Sequence, residues 1–122
     1  MKNIGFIGIG LMGFPMAKNL LKSGFNLKAF NRSLDKADRL KEFGAEISVS
    51  IKEVVKNSDV IITMLTDDAA VEKVMGSDEF ISNIKEGATV IDMSSVNPII
   101  TKKHSKILTE KNLNYLDAPV SG

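Results

Sequence analysis

Residues 4–13 read Ile-Gly-Phe-Ile-Gly-Ile-Gly-Leu-Met-Gly, the most informative stretch of the chain. Its apolar start is typical of a buried strand, and Gly8, Gly10 and Gly13 then follow with the spacing G-x-G-x-x-G. Beyond them, apolar side chains recur every fourth residue, as on one face of an α-helix. Strand, glycine turn and helix in this order predict a βα unit. The apolar residues of the helical face are Met12, Met16 and Leu20.

The three glycines have separate tasks in a turn of this kind. The first permits a tight turn, the second lets the backbone approach a pyrophosphate, and the third lets the helix pack closely on the strand. The helix N-terminus then offers free N–H groups and a positive dipole to the phosphates. Glycines also serve ordinary turns, but the preceding strand and the following helix favour dinucleotide binding by Gly8, Gly10 and Gly13.

The rest of the chain alternates strand-length apolar runs with segments of helical period. Such alternation requires right-handed crossovers and a parallel sheet covered on both faces. We therefore predict an α/β fold of the Rossmann type, a doubly wound parallel sheet of six strands with helices on both faces and the strand order 3-2-1-4-5-6. The predicted strands cover residues 4–7, 27–30, 47–49, 60–64, 88–91 and 113–116, and the second helix covers residues 33–43.

The composition fits one ordinary globular domain over residues 1–122. Sixteen basic residues against 15 acidic ones give a formal net charge of +1, which leaves no positive excess for a nucleic acid or an anionic membrane surface. Cysteine is absent, which excludes disulfides and cysteine nucleophiles and agrees with a cytoplasmic location. Glycines and Pro15 interrupt the apolar run near the N-terminus, which argues against a signal peptide or a membrane span.

The residues after the second strand discriminate between nicotinamide cofactors. Sites for NAD usually carry Asp or Glu there, which accepts hydrogen bonds from the ribose hydroxyls. This chain has Asn31-Arg32-Ser33, so no carboxylate repels a 2′-phosphate, Arg32 can bind it with charge-assisted hydrogen bonds, and Ser33 can add another. We therefore predict NADP as the preferred cofactor, with NAD as the alternative. In the competing interpretation, Asn31 and Ser33 form a turn and a helix cap while Arg32 is solvated.

Two further segments follow predicted strands at the edge where open α/β sheets bind ligands. Met64-Leu65-Thr66 follows the fourth strand, and Met93-Ser94-Ser95 follows the fifth. Both are candidate ligand contacts. The methionines also suit a core and the hydroxyls also suit helix caps, and the spacing leaves both interpretations open.

The remaining polar candidates favour structural roles. Asp67 or Asp68 is expected to cap a helix, since no histidine or further carboxylate accompanies the pair as a metal or acid/base site would require. His104 is the only histidine, and we expect it to be partly buried with a structural role. No metal site is predicted.

Taken together, these segments resemble the β-hydroxyacid dehydrogenase family, which includes 3-hydroxyisobutyrate dehydrogenases, tartronate semialdehyde reductases and glyoxylate/succinic semialdehyde reductases. The resemblance spans the whole chain, and the ending Asp117-Ala118-Pro119-Val120-Ser121-Gly122 looks like the substrate-binding signature of this family. The other stretches that carry it are residues 4–13, 15–20, 31–33, 64–65 and 92–95.

The resemblance implies cofactor contacts for several residues. Leu11 and Met12 would line the pyrophosphate turn. Leu65 and Thr66 would lie along the cofactor, and Ser95 would lie near the nicotinamide ribose.

The resemblance also implies a substrate and a reaction. Ser121 and Gly122 match residues that bind the substrate carboxylate, although a turn after the sixth strand is the alternative. The family moves hydride between nicotinamide and a small β-hydroxyacid or semialdehyde, with a lysine as general acid/base. That lysine follows the signature on a helix entering a C-terminal α-helical domain. We therefore expect no catalytic residue within residues 1–122, no turnover by this chain alone, and a homo-oligomer for the full-length family member.

Two other functions compete with this one. A 6-phosphogluconate or imine-type oxidoreductase shares the early motifs, and a non-catalytic NADP-binding or sensing module would bind cofactor without the lysine. The substrate-binding signature at residues 117–122 favours the β-hydroxyacid enzyme over both.

Overall fold

The computed structural model describes residues 2–9, 12–65, 67–94 and 97–118 of the chain. Its strands are β1 (Asn3–Ile7), β2 (Asn26–Phe30), β3 (Glu46–Ile47), β4 (Val60–Thr63), β5 (Thr89–Asp92) and β6 (Asn114–Asp117). Its α-helices are α1 (Gly13–Lys22), α2 (Leu34–Asp38), α3 (Ile51–Val55), α4 (Asp68–Met75), α5 (Asp78–Ile81) and α6 (Pro98–Glu110), and a 3₁₀ helix (Arg39–Phe43) continues α2. No helix in these ranges is long and apolar enough to cross a membrane.

The six strands form one sheet in the order β3-β2-β1-β4-β5-β6. Neighbouring strands pair in parallel throughout the described sheet. The predicted fold class and strand order are therefore confirmed. After β1 the chain proceeds outward to β2 and β3, then returns to the other side of β1 to form β4. This reversal is the topological switch point, where open α/β sheets bind ligands at the carboxyl ends of the strands.

The central strand β1 contributes to both apolar cores. Phe6 and Ile7 are 0% and 1% exposed and belong to different clusters, because successive side chains of a strand point to opposite faces of the sheet. Ala17 of α1 packs in the cluster of Phe6, whereas Val71 and Met75 of α4 pack in the cluster of Ile7. Burial on both faces explains why the inner strands consist of continuous apolar runs.

The predicted elements differ from the structure mainly at their ends. β5 and β6 each begin one residue later than predicted, because buried Ala88 and Leu113 precede the first ladder pair, Thr89 with Asn114. The helix predicted over residues 33–43 divides into α2 and the 3₁₀ helix.

The short helix α5, a single turn, was not predicted from the sequence. This turn has its own start signal, since the Ser77 hydroxyl accepts a hydrogen bond from the Phe80 N–H at 3.3 Å. The fully buried Phe80 ring holds the turn against the core.

The predicted apolar face of α1 is confirmed for Met16 and Leu20 and wrong for Met12. Met16 and Leu20 pack against the core, whereas Met12 precedes the helix and is 45% exposed. Gly13 and Ala17 are the fully buried residues of the helix. A Cβ on Gly13 would lie 2.4 Å from the carbonyl oxygen of Gly8, so a side chain there would push the helix off the turn. The close approach requires glycine and lets Ala17 pack on the sheet.

Gly8 is restricted in two independent ways. Its φ is +102°, a backbone conformation that side-chain-bearing residues rarely adopt. A Cβ at this position would also lie 2.0 Å from the carbonyl oxygen of Met64, just after β4. The turn after β1 therefore passes against the backbone that follows the neighbouring strand.

We predict that Gly8→Ala destabilises the chain far more than Gly44→Ala. Gly44 has nearly the same φ, +99°, but a Cβ added there would meet no atom within 4 Å, so its substitution adds only backbone strain of about 1–2 kcal/mol. Gly8→Ala adds a clash with backbone that cannot rotate away, for a total above roughly 3 kcal/mol. Urea unfolding of both variants measures the difference, and equal losses of unfolding free energy would show that the clash is relieved at no cost.

Candidate cofactor site

A cavity of about 340 Å³ opens at the carboxyl edge of the sheet, beside the switch point. The ends of β1 and β2 form its floor and one wall, and α4 forms part of the opposite wall. A cleft at this position is where a doubly wound fold binds a nucleotide. Its lining residues are Ile7, Gly8, Ile9, Phe30, Asn31, Arg32, Ser33, Lys36, Ile51, Met64, Leu65, Ala70, Lys73 and Val74.

Asn31 holds the glycine turn against the end of β2. Its side-chain oxygen accepts a hydrogen bond from the Ile9 N–H at 2.9 Å, and its amide nitrogen donates to the carbonyl oxygen of Ser33 at 2.9 Å. The Gly8 N–H donates to the carbonyl oxygen of Phe30 at 3.0 Å in the same region. Asn31 therefore lines the cavity and also braces the backbone at its base.

Three of the described residues that line the cavity are basic, and none of the lining residues is acidic. Arg32 and Lys36 lie on the β2 side, and Lys73 lies on α4 across the cavity. All three residues are exposed, so solvent screens their charges, but they act on the same small volume. This arrangement attracts an anion of high charge density, such as a phosphate monoester.

Arg32 was predicted from the sequence, but the two lysines were not. Lys36 lies in α2, whose sequence indicates a charged outer face, and only the docking of α2 beside the end of β2 brings it to the cavity. The spacing from Arg32 to Lys36 is i, i+4, which is the signal that could have found it. Lys73 carries no such signal, since it joins the site only through the fold.

An apolar slot completes this part of the cavity. Ile51, Leu65 and Val74 line it from three separate segments, and Ala70 adds a small side chain. Apolar walls with a few polar groups at one end suit a planar base ring attached to a phosphate-bearing sugar.

A second polar group lies where β4 and β5 end. Asp92 is fully buried, and its Oδ1 accepts hydrogen bonds from the Thr63 hydroxyl and from the Ser94 N–H, both at 3.0 Å. The Ser94 hydroxyl in turn accepts from the Leu65 N–H at 2.7 Å. These bonds connect the backbone after β4 to the backbone after β5.

The structure brings about half of the predicted cofactor residues together. Gly8, Asn31, Arg32, Ser33, Met64 and Leu65 line the cavity. Met12 and Gly13 do not line it, since Met12 is exposed before α1 and Gly13 is buried beneath that helix. The predicted residues Gly10, Leu11, Thr66, Ser95, Ser121 and Gly122 lie outside the described residues.

The helix caps resolve several of the open alternatives. Ser33 occupies the position before α2 but makes no side-chain capping bond, so its hydroxyl is available at the cavity. Asp67 caps α4 through the Ala70 N–H at 2.8 Å, as expected. Asn97 caps α6 through the Ile99 N–H at 2.9 Å, which leaves Ser94 to its bond with Leu65.

His104 is more deeply buried than predicted, at 2% exposure. Neither ring nitrogen has a hydrogen-bond partner among the described residues. Burial lowers the pKa of His104, and Lys103 lowers it further, while the carboxylates of Glu72 and Asp92 act in the opposite direction. In the described ranges, no group of three or more His, Asp or Glu residues could hold a metal ion.

A glycine turn pinned at a switch point, beside a cationic cavity with apolar walls, defines a nucleotide-binding α/β domain. Residues 3–122 match the family described as the NAD binding domain of 6-phosphogluconate dehydrogenase. The chain belongs to this family and is similar throughout to the N-terminal part of β-hydroxyacid dehydrogenases.

The similar proteins are oxidoreductases. Glyoxylate/succinic semialdehyde reductase 1 of Arabidopsis thaliana is 40% identical over 120 residues, which cover 98% of this chain and 42% of that protein. The structure of Mycobacterium tuberculosis 3-hydroxyisobutyrate dehydrogenase with L-serine gives a TM-score of 0.93 at 29% identity, covering 100% of this chain and 41% of the other. The structure of Myxococcus stipitatus imine reductase in complex with NADP⁺ gives a TM-score of 0.87 at 25% identity, covering 96% of this chain and 40% of the other.

The chain spans between 36% and 42% of the length of the curated relatives it matches. The similarity therefore covers the cofactor-binding part of those proteins and confirms a nicotinamide-dinucleotide domain.

We predict that His104 makes the chain less stable as the pH falls from 7 to 5.5. The folded pKa lies below the ordinary value of 6.5, so in this range the unfolded chain binds a proton that the folded chain does not. The free energy of unfolding therefore decreases as the pH falls through 6.5. In His104→Leu this decrease should nearly vanish, because no other histidine is present. Urea unfolding at the two pH values measures both slopes, and equal slopes in parent and variant would contradict the assignment.

Proposed function

We propose that the chain binds NADP(H) in preference to NAD(H), as the cofactor domain of an enzyme that transfers hydride between nicotinamide and a small β-hydroxyacid or semialdehyde. The observation that carries the cofactor preference is the composition of the cavity. Among the described residues, its lining contains Arg32, Lys36 and Lys73 and no carboxylate. A carboxylate at the end of β2 would accept from the ribose hydroxyls of NAD and repel the 2′-phosphate of NADP.

The β2 side offers the three kinds of group that a 2′-phosphate requires. Arg32 supplies a planar set of N–H donors, Ser33 supplies a hydroxyl without a capping partner, and Lys36 supplies a second positive charge. The 2′-phosphate would lie against these residues, with the adenine against Ile51, Ala70 and Val74 of the apolar slot. The pyrophosphate would then reach the glycine turn, which Asn31 holds in place.

The substrate and the catalytic lysine belong to the proposal for the whole protein. Ser121 and Gly122 would hold the substrate carboxylate, and the acid/base lysine would come from sequence beyond residue 122. The similarity to glyoxylate/succinic semialdehyde reductase 1 and to 3-hydroxyisobutyrate dehydrogenase supports this class of substrate. We further propose a cytoplasmic protein without a nucleic-acid partner, on the basis of its near-zero net charge and lack of cysteine. A homo-oligomer is proposed for the full-length protein from the family resemblance alone.

The competing functions receive less support. The curated relatives at about 40% identity include 3-hydroxyisobutyrate dehydrogenases and a glyoxylate/succinic semialdehyde reductase. Imine reductases occur among the similar solved structures at 25% and 28% identity, beside the 3-hydroxyisobutyrate dehydrogenase structure at 29%. A sensing module would also bind NADP but has no use for a substrate-binding signature.

We predict that Arg32→Ala and Lys36→Ala each weaken NADPH binding by about tenfold, since each removes one screened, charge-assisted contact to the 2′-phosphate. The NADH dissociation constant should change less than about twofold, because NADH has no 2′-phosphate. Lys41→Ala is the matched control, since this exposed lysine in the 3₁₀ helix pairs with Asp38 and does not line the cavity. Isothermal titration with both cofactors measures these constants. Equal NADPH and NADH affinities in the parent chain would refute the preference.

We also predict that residues 1–122 bind NADPH without turning it over. Glyoxylate, succinic semialdehyde and tartronate semialdehyde should each leave the NADPH absorbance unchanged, because the family resemblance places the acid/base lysine outside residues 1–122. The Arabidopsis reductase, assayed beside the chain with the first two substrates, serves as the positive control. Oxidation of NADPH at the rate of that enzyme would show that the chain contains its own acid/base group.

A further inference from the structure

We propose that Asp92 is a positioning residue for the nicotinamide half of the cofactor site, acting through Ser94 on the backbone of Leu65; this inference rests on the proposed binding of NADP(H). Asp92 does not line the cavity. Its side chain is nevertheless a carboxylate at 0% exposure. Burial of a carboxylate costs free energy unless the carboxylate accepts hydrogen bonds. The groups that donate to Asp92 therefore show which parts of the backbone it holds in position.

The donors to Asp92 come from the ends of two neighbouring strands. Thr63 is the last residue of β4 and donates its hydroxyl proton, and Ser94 follows β5 and donates its N–H. Two backbone hydrogen bonds lie in the same region. The Met93 N–H donates to the Thr63 carbonyl oxygen at 2.8 Å, and the Ala118 N–H donates to the Asp92 carbonyl oxygen at 2.9 Å. One buried residue therefore links the carboxyl ends of β4, β5 and β6.

Ser94 connects Asp92 to the wall of the cavity through two hydrogen bonds. Its N–H is held by Asp92, which orients the residue so that its hydroxyl oxygen accepts from the Leu65 N–H at 2.7 Å. Leu65 lines the cavity, so this hydrogen bond holds part of the cavity wall in place. The bond joins segments 29 residues apart in sequence, so only the assembled sheet can make it.

The location of this network assigns it to one half of a dinucleotide. The β2 side of the switch point holds the cations for the 2′-phosphate, so the adenosine half lies there. A dinucleotide crosses the switch point, so its other half reaches toward the ends of β4 and β5. Asp92 and Ser94 lie on that second side, and their loss should weaken contacts to nicotinamide and leave those to the 2′-phosphate intact.

Tyr115 provides a matched control beside the same carboxylate. Burial and the nearby carboxylates of Asp92 and Asp117 raise the pKa of the Tyr115 phenol. Neither the phenol oxygen nor Asp92 Oδ2 has a hydrogen-bond partner among the described residues. Tyr115→Phe therefore changes the polar surroundings of Asp92 but leaves the bonds to Thr63, Ser94 and Leu65 in place.

The test compares two ligands that differ in the nicotinamide half. Dissociation constants for NADP⁺ and for 2′-phospho-ADP-ribose, which lacks nicotinamide, are measured by isothermal titration on the parent chain, Ser94→Ala, Asp92→Asn and Tyr115→Phe. The parent should bind NADP⁺ more tightly. Ser94→Ala should weaken NADP⁺ binding relative to 2′-phospho-ADP-ribose binding by about fivefold, which is the effect of losing one hydrogen bond. The dissociation constant for 2′-phospho-ADP-ribose itself should change less than about twofold. Tyr115→Phe should retain the full advantage.

Each other outcome has a definite meaning. If Ser94→Ala weakens both ligands equally or neither, or if the parent binds both equally well, the positioning role is wrong while NADP(H) binding stands. If the parent binds neither ligand, the proposed function itself fails. Thermal unfolding of every variant verifies folding, and Ser94→Ala alone decides the matter if Asp92→Asn does not fold.

Discussion

The structure depends on one close approach between backbones, where the turn after β1 meets the end of β4. The space beside Gly8 is so small that a Cβ would lie 2.0 Å from the carbonyl oxygen of Met64. A second close approach follows at once, since a Cβ on Gly13 would lie 2.4 Å from the carbonyl oxygen of Gly8. The first contact brings the turn after β1 against the end of β4, and the second brings the start of α1 against that turn. Both are possible only because the two residues have no side chain.

Around that constraint the site divides into two sides with different chemistry. On the β2 side the charged groups are exposed and adjustable, and they select a ligand by its phosphate charge. On the β4 and β5 side the polar groups are buried and joined to one another, from Thr63 through Asp92 to Ser94. The exposed cations attract a phosphate-bearing ligand, and the buried hydrogen bonds fix the geometry of the backbone after β4 and β5. A cofactor that carries a phosphate at one end and a reacting ring at the other requires both.

The sequence predicted much of this arrangement because its strongest signals are local. A strand followed by G-x-G-x-x-G, buried apolar strands and helix caps such as Asp67 each depend on a few neighbouring residues. The errors fall where distant residues decide. Apolar spacing predicted the face of α1 correctly at Met16 and Leu20, which pack against the core, but wrongly at Met12, which precedes the helix and is exposed. The close approach of Gly13 to Gly8 lets the small side chain of Ala17 meet the sheet.

The class of fold, the glycine turn and the pair Arg32 and Ser33 at the end of β2 can be predicted from the order of residues alone, because they follow from periodicity and from residue types that have few conformational alternatives. The strand order was expected from the fold class, and the assembled sheet confirms it. The folded chain was needed to show that Lys36 and Lys73 share a cavity with Arg32, and that Ser94 supports Leu65 rather than capping α6. These contacts join residues from different strands and helices, so their distances exist only once the parallel sheet has assembled.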